Sequence, residues 1–66
     1  MSNKVMELVR KVQDINGLSL EQVTLSIGYS VTEFEKEITE GNDAKLIDLL
    51  FLKHPNSLKS MSRKFK

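Results

Sequence analysis

A 66-residue chain with 29% charged and 39% hydrophobic side chains makes one domain spanning residues 1–66, and at that length it buries only about 60% of the surface its unfolded form exposes. It has no cysteine and a single histidine, His54, which excludes disulfides and thiolate metal sites and leaves no ligand set, so neither a metal nor a cofactor is expected. The net charge of +1 hides an uneven distribution: residues 19–43 set Glu21, Glu33, Glu35, Glu37, Glu40 and Asp43 against Lys36, for −5, and residues 44–66 set Lys45, Lys53, Lys59, Arg63, Lys64 and Lys66 against Asp48, for +5.

Val5, Leu8, Val9, Val12 and Ile15 recur at helical spacing and predict a first helix over residues 3–15. Asn16-Gly17 ends it, because glycine takes the left-handed conformation after a helix cheaply. Ser19 opens a second helix, with Gln22 placed to complete a capping box and Leu20, Val23 and Ile27 on its apolar face. Gly28 breaks that helix. Ser30 opens a third with Glu33 as its capping partner, and Val31, Phe34 and Ile38 form its apolar side. Gly41-Asn42 stops the third helix, and Asn42 or Asp43 caps a fourth that runs from Ala44 to about Lys53.

The fourth helix carries Leu46, Ile47, Leu49, Leu50, Phe51 and Leu52, so it is apolar on nearly every side. Such a helix is buried or meets another chain. His54-Pro55 ends it, since proline disfavours helical geometry at the residue before it. Residues 56–66 are either a short final helix, capped by Ser57 with Leu58, Met61 and Phe65 on one face, or a basic tail. Nothing reads as a strand. The expected fold is all-α, a bundle of about five short helices with Val9, Val23, Ile27, Phe34, Ile47 and Leu50 buried together.

Glu7, Arg10, Lys11 and Asp14 interrupt the apolar pattern of the N-terminal segment, which excludes a signal-peptide core. The longest apolar run, Leu49 to Leu52, is far too short to span a bilayer. A cytoplasmic, reducing setting and no membrane partner are the expectations. An enzyme is not expected either: no Ser/His/Asp set gathers around His54 in any order, no phosphate loop is present, and a helical bundle this small has little room for a substrate pocket.

Residues 19–40 meet the requirements of a helix-turn-helix, two short helices joined by a tight turn and packed so closely that the second stands proud. Val23 and Ile27 anchor the first helix of the pair, Thr24 stands at the close approach, Gly28 supplies the turn, and Phe34 plugs the second helix into the core. Leu18-Ser19-Leu20-Glu21-Gln22-Val23 followed by Ile27-Gly28-Tyr29-Ser30 resembles the helix-turn-helix of the lambda and 434 type Cro and CI repressors, the XRE-like family. The resemblance covers residues 5–53 and implies a transcriptional regulator that binds double-stranded DNA as a symmetric homodimer, with its third helix in the major groove.

On that helix Ser30, Val31, Thr32, Glu35, Lys36 and Thr39 are the base-contact candidates. Ser19, Tyr29, Asn42 and Lys45 are the phosphate-contact candidates, three of them at the starts of helices two and four, where backbone N–H groups bind anions. The expected reading helix is nonetheless acidic, whereas affinity for DNA normally comes from lysine and arginine. Two further readings therefore stay open. One is a protein-binding module of anti-repressor or DNA-mimic type, using the acidic helix or the apolar patch on helix four. The other is a membrane-surface module acting through the basic tail.

Overall fold

In a computed structural model, which describes residues 4–61, four helices follow one another: α1 (Lys4–Asn16), α2 (Leu20–Ser26), α3 (Val31–Thr39) and α4 (Asp43–Lys53). No strand occurs among the described residues. α1 packs on α4 and on α2, and α3 packs on α2 and α4.

Each helix of the α2–α3 pair starts where its serine stands. The Ser19 hydroxyl accepts the Gln22 backbone N–H at 3.2 Å, and Gln22 Oε1 accepts the Ser19 N–H at 2.8 Å. Ser30 and Glu33 repeat the arrangement at 3.1 and 3.2 Å. Each box satisfies N–H groups that a helix start would leave without a partner.

The turn between them depends on Gly28, which sits at φ +87°. Its N–H donates to the Leu25 carbonyl at 3.0 Å, and the Tyr29 N–H donates to the Thr24 carbonyl at 2.9 Å. This is the Schellman closure, which satisfies the last carbonyls of α2 and requires a left-handed residue at the glycine position.

The core gathers one stripe from each helix: Val5, Leu8, Val9 and Val12 of α1, Val23 of α2 with Ile27 just beyond it, Phe34 of α3, and Leu46, Ile47 and Leu50 of α4. All six residues expected to be buried together belong to it. Thr24 is buried as well, and its hydroxyl donates back to the Glu21 carbonyl at 3.0 Å. That internal bond is what lets a hydroxyl occupy a fully buried site.

The structure corrects the expected course of the chain in three places. Residues 55–61 form turns rather than a fifth helix. Pro55 lacks a backbone donor, and Ser57, the expected cap, accepts a hydrogen bond from Asn16 Nδ2 at 2.8 Å instead. Leu58 is still driven into the core, and Met61 packs against it. Phe65, expected on the same apolar face, lies outside the described residues.

Ile15 is 54% exposed rather than part of the α1 stripe. Val12 is the last buried residue of α1, and Asn16, four residues on and itself exposed, makes the bond to Ser57. Finally, Asn42 holds the cap position of α4 without making a cap hydrogen bond. Its side-chain amide donates to Glu37 Oε1 at 2.8 Å.

Candidate functional site

Of the four helices, α3 gives the least of itself to the core. Among its nine residues only Phe34 is buried. Val31 and Ile38 are half-buried on the same side, three residues before and four after it. The opposite side is left to Thr32, Lys36 and Thr39, which are exposed and lie four and three residues apart, in one row along the helix. Glu35 is exposed on one flank of this row, and Glu33 on the other.

Five of the six residues expected to contact bases lie on α3, and the sixth, Ser30, is its cap. Ser30, Thr32, Glu35, Lys36 and Thr39 are exposed, and Val31 is half-buried. Two of their polar groups are already engaged. The Ser30 hydroxyl caps the helix, and the Thr39 hydroxyl donates to the Glu35 carbonyl at 3.0 Å. Among the described residues, the side chains of Thr32, Glu35 and Lys36 take no hydrogen-bond partner.

The acidity of this helix has a largely structural origin. Glu33 completes the capping box, in the first turn where the helix dipole favours a carboxylate. Glu37 ties the end of α3 to Asn42, ahead of α4. Neither carboxylate can swing outward without giving up its bond. A sequence shows these residues only as acids; the position of Glu33 three residues after Ser30 signals its role, and Glu37 carries no comparable signal.

The phosphate-contact candidates are spread over three segments. Ser19 is exposed at the start of α2, where its hydroxyl accepts one first-turn N–H itself. Tyr29 is half-buried and packs against the core. Asn42 is exposed but held by Glu37. Lys45 is exposed in the first turn of α4.

Elsewhere the described surface carries a polar pair that sequence reasoning did not find and, on the apolar patch expected of helix four, a groove. Ser26 Oγ lies 2.6 Å from the Val23 carbonyl and 2.8 Å from His54 Nε2. A hydroxyl has one proton. With that proton on the Val23 carbonyl, His54 must donate from Nε2, which fixes its tautomer and links the last turn of α2 to the end of α4. Partial burial holds the His54 pKa below its ordinary value near 6.5. The groove runs along the end of α4 between Asp48, Phe51, Leu52 and Pro55, and Leu52 in it is 70% exposed.

No group of His, Cys, Asp or Glu that could hold a metal ion occurs among the described residues, and no described helix is long and apolar enough to cross a membrane. No family model, curated protein or solved structure matches the chain.

Proposed function

We propose that this chain is a helix-turn-helix DNA-binding domain that inserts α3 into the major groove of duplex DNA, acting as a small transcriptional regulator similar to the Cro and CI repressors. The observation that carries the reading is the division of labour on α3. One side plugs the helix into the core through Phe34, and the other presents Thr32, Lys36 and Thr39 in a row. A helix held by a single buried anchor and facing solvent with its short polar side chains fits a groove that admits one α-helix.

The chemistry of that row suits base edges. Threonine hydroxyls bond to donors or acceptors, and Lys36 suits guanine O6 and N7; Val31, half-buried on the other side of the helix, leaves part of its methyl surface for a thymine methyl. Lys45, with the N–H groups at the start of α4, meets the adjacent phosphates. The +5 segment from Ala44 onward supplies the electrostatic attraction that the −5 segment around α3 lacks. In a symmetric dimer two copies of α3 read half-sites about one helical turn apart.

A protein-docking reading has one specific observation in its favour, the exposure of Leu52 in the α4 groove. In the DNA reading this same face is the candidate homodimer contact.

The test is binding to generic duplex DNA across a range of salt. The DNA reading expects log affinity to fall linearly with log salt, and Lys36→Ala or Lys45→Ala to reduce the slope by about one unit where the lost contact is to phosphate. An absence of affinity even at low salt overturns it in favour of protein docking.

A further inference from the structure

On the reading of α3 as the DNA-contacting helix rests a further step, the identity of the base that it selects. Two of the carboxylates on α3 are bound internally, Glu33 to the Ser30 N–H and Glu37 to the Asn42 amide. Glu35 is not. It is exposed, and its carboxylate takes no partner among the described residues. It stands four residues after Val31, four before Thr39, and next to Lys36, the one base on the helix.

We propose that Glu35 is the specificity-determining residue of α3 and that it selects cytosine, with Lys36 taking a guanine in the same half-site. A carboxylate is acceptor-only and negatively charged, so within a groove walled by phosphates it is repelled unless it meets a donor. Guanine O6 and N7 and thymine O4 offer only acceptors to it. Adenine has a donor at N6, but the acceptor N7 lies beside it. Cytosine N4 is a donor with an acceptor, the O6 of its paired guanine, on one side only, whereas adenine N6 lies between N7 and the O4 of its paired thymine. Lys36 needs the reverse, a pair of acceptors, and guanine presents them. Glu35 thus works mainly by rejection: it costs affinity on every duplex and returns part of that cost only where cytosine is placed to meet it.

The experiment is selection of binding sites from a random duplex library with the full chain and its Glu35→Gln and Glu35→Ala variants. The wild type is expected to enrich one cytosine column and one guanine column per half-site. Glutamine pairs bidentately with adenine N6 and N7, so Glu35→Gln is expected to turn the cytosine column into adenine and leave the guanine column in place. Glu35→Ala is expected to flatten that column alone, with a loss of roughly five- to hundredfold in discrimination and a gain in affinity for generic duplex DNA. Identical columns in all three proteins overturn the role of Glu35 and leave the DNA reading standing. A wild type that retains no duplex at any salt concentration overturns the DNA reading itself, and this inference with it.

Discussion

α3 and α4 are neighbours in the chain and of similar length, nine and eleven residues, yet they spend their surfaces in opposite ways. α4 is apolar almost all round and buries only Leu46, Ile47 and Leu50, leaving Leu52 70% exposed. α3 is polar on most of its circumference and hangs on Phe34. The difference teaches that in so small a domain burial is limited by the partners available rather than by the apolar residues on offer. α1 shares its stripe between α4 and α2; on α4 Leu49 and Phe51 are only partly buried against the core, and Leu52 stays at the surface. The two helices therefore leave different surfaces to solvent, an apolar remainder on α4 and a polar face on α3.

Substitutions at four positions break or sharpen this contrast. The largest effect belongs to the single anchor of α3. Phe34→Ala is expected to cost about 3–5 kcal/mol, comparable to the whole stability of a domain this size at roughly 0.05–0.15 kcal/mol per residue. A thermal melt should show no cooperative transition near that of the wild type. An unchanged melt removes Phe34 from its role and α3 from its support.

Next comes the turn that aims α3. A Cβ at Gly28 meets nothing within 4 Å, so any penalty is one of backbone conformation at φ +87° rather than of space. Gly28→Val is expected to cost about 1–3 kcal/mol, and Gly28→Asn less, because asparagine tolerates the left-handed region. Equal urea midpoints for the two variants would contradict the conformational account.

A smaller effect tests the tie between α2 and α4. With the folded pKa of His54 lowered by burial, the folded state disfavours its protonation. The contribution is fully present above the unfolded value of about 6.5 and is lost as the pH falls below it toward the folded value. Urea unfolding of the wild type and His54→Gln across that range should give curves that converge on acidification if His54 is the titrating group. Parallel curves place the titration elsewhere.

The smallest effect is expected on the remainder of α4. Leu52→Ser should leave monomer stability within about 0.5 kcal/mol and should weaken any self-association seen by sedimentation. A large loss of stability in the monomer would mean that Leu52 is a core residue after all.

Much of this fold was legible because local chemistry marks it. Ser19 with Gln22 and Ser30 with Glu33 announce two helix starts, and Gly28 announces the turn between them. Periodicity picked out Val9, Val23, Ile27, Phe34, Ile47 and Leu50 as a common core. What escaped were polar pairs distant in sequence. Ser26 and His54 are 28 residues apart, and Asn16 and Ser57 are 41 apart. Such pairs leave no periodic trace. Ser57 accepts from Asn16 where a fifth helix was expected to start, and Asn42, nearer in sequence to its partner, donates to Glu37 without capping α4. On α3 the exposed row could be read from spacing, while the internal engagement of Glu33 and Glu37, which isolates Glu35, needed the folded chain.

The most direct test of the central claim is to map the surface that meets DNA. Titrating a duplex into isotope-labelled protein and following the backbone amide resonances reports the contact residue by residue. If α3 is the reading helix, the shifts concentrate on residues 30–39 and around Lys45, and the exposed side of α4 near Leu52 stays quiet except for changes that depend on protein concentration. Shifts confined to α4, or none anywhere at low salt, contradict the account.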